Sequence, residues 1–144
     1  MIEKDTIELL KECNAGIKMG VSSIDEVLPD VKNAALRQKL TVCKDEHEKL
    51  GNETKKLLNN YKDEGKEPNP LAKSMSWLKT NTKMVVSPTD ETISDLITDG
   101  CNMGVKSLNR YLNEYKAAEG TAKDITKRLI NLEEKLAVDI REYL

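Results

Sequence analysis

"CNAGIK", from Cys13 to Lys18, recurs as "CNMGVK" from Cys101 to Lys106. At the same offset Leu10, Ile17, Ile24 and Val27 fall on Thr98, Val105, Leu112 and Tyr115. With one inserted residue, Leu36, Leu40, Cys43 and His47 fall on Ile125, Leu129, Leu132 and Leu136. The matched positions span two successive segments, so the repeated unit is a helical hairpin and more than a short phrase. Within each segment the apolar residues step by three and four, the period of an amphipathic helix.

Working outward from the repeat, five helical segments are predicted. Asp5 with Glu8 resembles a capping box and opens a first helix of about 5–28. Pro29 suits the first turn of a second helix of about 30–63, whose seam runs Leu36, Leu40, Cys43, His47, Leu50, Thr54, Leu57 and Tyr61. "DEGKEPNP", from Asp63 to Pro70, is loop chemistry, and Asn69-Pro70 then starts a connector helix of about 70–86. Ser87-Pro88 with Asp90 begins a helix of about 89–118, closed by Gly120 as its terminating glycine. Thr121 with Asp124 caps the last, about 121–143.

Composition agrees with an all-α class. The 144 residues include four Tyr, one Trp and no Phe, and long Lys/Glu/Leu/Asn stretches replace the alternation of strands. That length suits a single domain, residues 1–144. Lys+Arg number 23 against 25 Asp+Glu, for a formal net charge of -2, which gives no footprint for nucleic acid. No apolar run approaches the roughly 20 residues of a membrane span, and the charged start has no signal-peptide core. Three Cys at spacings unlike a disulfide framework fit a reducing compartment, so a cytoplasmic protein without membrane insertion is expected.

Two hairpins joined by a long connector place the second and third helices parallel. With the internal repeat and the phrase "EHEKL" from Glu46 to Leu50, the sequence resembles the ferritin-like superfamily, in particular its small uncharacterised bacterial members. The resemblance implies a ferritin-like four-helix bundle made of two repeated αα-hairpins with a helical crossover. Di-iron members need a Glu on each of helices one and three and a Glu-x-x-His on each of helices two and four. Here Lys44 stands three residues before His47, and Leu136 three after Glu133, so the ligand set is incomplete. The resemblance therefore does not carry the di-iron activity with it.

A second constellation comes from counting outward from a turn near Asp30, which places Cys13 level with His47 and Cys43 one turn away. By the repeat, Cys101 lies at the depth of Leu136. Cys13, Cys43, His47 and Cys101, with Glu133 as a further ligand, form a candidate set for zinc or iron, or a redox-active thiol layer. The plainer alternative makes the cysteines small core residues and His47 a hydrogen-bonded core histidine, with no cofactor.

Gly16, Gly20, Gly100 and Gly104 sit inside helices, where each costs about 1 kcal/mol relative to Ala. Their spacing clears two helical faces, either for close contact of the first and third helices, or for an oligomer contact or a ligand beside the cysteines. There is no phosphate-binding loop, nucleophile elbow or Cys-x-x-Cys, so enzymatic catalysis is not expected. The expected function is a structural or protein-interaction role, with a homo-oligomer or a protein partner; a metal-binding or thiol redox protein is the alternative.

Overall fold

The computed structural model describes residues 2–61 and 88–144. They form four helices, α1 (Ile2–Val27), α2 (Ala34–Asn60), α3 (Asp90–Glu114) and α4 (Gly120–Asp139), with 3-10 turns at Leu28–Asp30 and Arg141–Tyr143. Among the described residues there is no strand, as the all-α reading requires. No described helix is long and apolar enough to cross a membrane. The connector helix expected at about 70–86, and Ser87 ahead of Pro88, lie outside the described residues.

The helix ends differ from the sequence reading in instructive ways. Pro29 lies in the 3-10 turn, Val31 is extended and buried, and α2 starts only after Asn33, whose side chain accepts the Leu36 N–H at 3.0 Å. An asparagine cap supplies an acceptor that Pro29 cannot, so the start moves to the better cap. α1 begins at Ile2, ahead of Asp5. The Asp5 carboxylate accepts the Ala117 N–H at 3.0 Å, and Thr6 Oγ1 accepts the Glu119 N–H at 2.8 Å. These two side chains satisfy backbone donors of the α3–α4 turn, where Ala118 is buried. Gly120 accordingly opens α4 and does not terminate α3, which ends at Glu114.

The same contacts set helix direction. The N-terminus of α1 meets the α3–α4 turn, and Tyr61, just after α2, donates to Glu119 at 3.1 Å. At the opposite end Asp90, the first residue of α3, accepts the N–H groups of Lys32 and Asn33 at 2.8 and 2.9 Å. Lys39 near the start of α2 donates to the Asp139 carbonyl at 3.1 Å, at the end of α4. Helices α2 and α3 therefore run parallel, and α1 and α4 run opposite to them. α1 packs along α2 and α3 along α4, while α2 touches α4 and α1 touches both α3 and α4. The order around the bundle is α1, α2, α4, α3.

Two apolar clusters fill the interior. One holds Ile24, Leu36, Leu40, Cys43, Leu96, Cys101, Leu136 and Ile140; the other holds Leu9, Leu10, Cys13, Ile17, Leu50, Leu108, Ile125 and Leu129. Fully burying one such leucine or isoleucine is worth about 1.5–3 kcal/mol. Every helix contributes to both clusters, and each has one residue at the boundary between them.

Candidate functional site

Those boundary residues form a polar layer across the bundle. On α1 it is Gly20, between Ile17 and Ile24; on α2 it is His47, between Cys43 and Leu50. On α3 it is Gly104, between Cys101 and Leu108, and on α4 it is Glu133, between Leu129 and Leu136. His47 is 1 % exposed, and its Nε2 lies 2.8 Å from Glu133 Oε1. Its Nδ1 lies 2.8 Å from the carbonyl oxygen of Cys43, one turn earlier on α2.

The hydrogen-bond inventory requires a proton on Nδ1 and another between Nε2 and Glu133. A neutral imidazole has one N–H and one bare nitrogen, yet both ring nitrogens face oxygens. Nδ1 must donate to the Cys43 carbonyl, which can only accept, so the proton between Nε2 and Oε1 is shared with Glu133. Burial works against the imidazolium, but hydrogen bonding at Cys43 and to Glu133 outweighs it and raises the His47 pKa to about 10. The pair is thus an imidazolium and a carboxylate, neutral as a unit.

Glycines make room for this pair. A methyl group at Gly20 would stand 3.0 Å from His47 Cδ2 and 3.1 Å from Nε2. At Gly104 it would meet the Glu133 carboxyl carbon and Oε2, both at 3.6 Å. At Gly16 the single neighbour is Leu129 Cδ2, at 3.9 Å. The glycines of α1 and α3 thus border an open space beside the pair. That space is a groove of about 570 Å³ between the two helices, with Gly16, Gly20, Gly100 and Gly104 in its walls and His47, Cys101 and Glu133 at its floor. Met19 and Met103, both exposed, stand beside it. Its size is that of small-molecule sites, which combine apolar walls with a few fixed polar groups.

The candidate ligands are only partly brought together. Cys43 Sγ lies 3.5 Å from His47 Nδ1; burial, followed by the influence of Glu133, pushes the Cys101 thiol strongly up. Cys13 lies in the other apolar cluster. Thr126 gives its own proton to the Ala122 carbonyl, so Cys13 donates to Thr126 Oγ1 at 3.2 Å; burial raises its pKa to about 11. All three cysteines are free thiols. Cys13 lies in a different apolar cluster from Cys43 and Cys101, and both imidazole nitrogens already have protein partners. Among the described residues no group of three or more His, Cys, Asp or Glu is disposed to hold a metal ion. The donor set does not fit zinc or a di-iron centre.

The expected level of Cys13 with His47 fails because of the turn. Gly20 faces His47 and Ile17 faces Gly51, so the hairpin pivots near Asn33 and Ala34 and not at Asp30. The 3-10 turn and the extended residues after it displace the register on α1 by seven residues, two helical turns. The Cys13 partner Thr126 was not singled out in the sequence; its signal is its place one residue after Ile125 in the α4 stripe, where a buried hydroxyl needs a partner. No protein-family model, curated protein or solved structure matches the chain.

Proposed function

We propose that this protein is a non-catalytic binding bundle of the ferritin-like type, without a metal centre, whose α1–α3 groove receives an apolar guest. The ferritin-like part of the reading is supported by the parallel run of α2 and α3 and by the meeting of His47 on α2 with Glu133 on α4. A di-iron member would set a Glu on each of the other two helices. At the layer of this pair those helices carry Gly20 and Gly104, which supply space and no ligand.

The observation that carries the binding role is the groove itself, about 570 Å³ with its floor on a buried hydrogen-bonded pair. A protein that needed only to be stable would gain from side chains on these helices, since interior glycines cost about 1 kcal/mol each. The test uses the neutral dye N-phenylnaphthylamine and a Gly16→Leu variant, whose new side chain enters the groove beside Leu129. Wild-type protein is expected to bind the dye saturably with enhanced fluorescence, and Gly16→Leu to lose that binding with its melting temperature undiminished. Equal binding by the variant, or none by the wild type, refutes the groove as a binding site.

A further inference from the structure

We infer that the guest of the α1–α3 groove carries a single uncharged hydrogen-bond donor, such as a hydroxyl, which docks on the Glu133 carboxylate. The inference rests on the binding role proposed above and adds the chemistry of the guest. A carboxylate has about four acceptor directions. Among the described residues His47 occupies one of them on Oε1. Oε2 lies 3.6 Å from where a methyl group on Gly104 would stand, so a group passing over Gly104 reaches it directly. Glu133 is 13 % exposed, enough to be approached from the groove and too little to be well hydrated.

The floor offers acceptors at Glu133 and no spare N–H at His47; the hydroxyls of Ser23, Ser107 and Tyr111 also line the groove. Both N–H groups of His47 are committed, to the Cys43 carbonyl and to Glu133. The described lining contains neither Lys nor Arg, so a carboxylate or phosphate guest adds an uncompensated charge beside the Glu133 carboxylate, with no further cation to pair it. An ammonium fares poorly as well. The His47–Glu133 unit is already neutral, so a cation there adds an uncompensated charge next to an imidazolium in an apolar groove. Glu12 is eight residues from Gly20 on α1, about 12 Å away, too far to neutralise a head group at the floor. A hydroxyl matches the acceptor without changing the charge, in a hydrogen bond to a charged group.

The experiment titrates the ¹⁵N-labelled full chain with decanol, decylamine and decanoate, which share one tail and differ in the head. The readout is the backbone amide resonances of Gly16, Gly20, Gly100 and Gly104, with Gly51 and Gly120 as controls outside the groove. Decanol is expected to shift the four groove amides saturably and to bind at least about tenfold more tightly than either charged analogue. In a folded Glu133→Gln variant the preference over decanoate should shrink to about twofold, because the repelling charge is gone. The wild-type series is decisive without the variant. If decylamine or decanoate matches decanol, the groove binds guests and the head-group assignment is overturned. If none of the three moves these amides, the binding role itself falls. If the amides move with protein concentration alone, the groove holds a second copy of this chain, and the assignment is likewise overturned.

Discussion

Raising the pH should weaken this protein at a pH where few other groups respond, because His47 keeps its proton in the folded state and loses it on unfolding. The folded pKa is raised from 6.5 to about 10 by the acceptors at Cys43 and Glu133. The sign follows directly. A raised folded pKa gives stability that is fully present below the unfolded value and is lost as pH rises towards the folded one. Between pH 7 and about 8.5 the folded state binds one proton more than the unfolded chain, so stability falls by almost 1.4 kcal/mol per pH unit, about 2 kcal/mol over that interval. Above about pH 8.5 the raised thiols of Cys13 and Cys101 add losses of the same sign, which makes the lower interval the clean one. Urea unfolding across this interval should show the decline in wild-type protein and its absence in His47→Gln, with Glu133→Gln intermediate. A wild-type slope no steeper than that of His47→Gln refutes the protonated, hydrogen-bonded pair.

The glycines separate by what a methyl group would meet. Gly16→Ala and Gly104→Ala should each raise stability by up to about 1 kcal/mol, read as a higher melting temperature, because the added atom finds only ordinary contacts. Gly20→Ala should lower stability by about 1–3 kcal/mol, since the His47 ring 3.0 Å away is held at both nitrogens and cannot yield; a rise equal to that of Gly16→Ala contradicts this. The three buried thiols should resist an aromatic disulfide reagent at pH 8 in native protein and all react once it is denatured; rapid native labelling of Cys13 or Cys101 contradicts their packing. Asp90→Ala should cost about 1–2 kcal/mol, measured by urea unfolding, through the two backbone donors of Lys32 and Asn33 that it leaves without their acceptor; no loss means water replaces the carboxylate fully.

The four described helices and the identity of most of their core residues were legible in the sequence because periodicity is a local signal. Leu36, Leu40, Cys43, His47, Leu50 and Thr54 lie on the predicted seam of α2 and are all buried. Helix ends were less legible, since the deciding partners are distant. Asp5 looks like a local cap for α1, yet it serves the backbone at Ala117, and Asp90 serves the backbone at Lys32 and Asn33. A capping motif states only that an acceptor is present, and tertiary packing selects which donor it receives.

The site was readable in its parts and misplaced in its register. His47 and Glu133 stand out as fragments of an incomplete ligand pattern, and the structure brings them to 2.8 Å. What the sequence could not reveal is which residue of α1 faces them, because that depends on how much chain the α1–α2 turn consumes. Burying Val31 and capping α2 at Asn33 lengthens the turn past the stop suggested by Pro29. Moving the pivot of an antiparallel hairpin by one residue shifts the facing position on α1 by two, so the move from Asp30 to between Asn33 and Ala34 exchanges Cys13 for Gly20. The exchange reverses the chemistry. A cysteine there would have offered a thiol to the histidine, whereas the glycine offers room, and the imidazole then takes its second partner from α4. The recurrence of glycine at the same layer on α3 gives Glu133 clearance as well, so both helices that line the groove yield space to the buried pair that closes it.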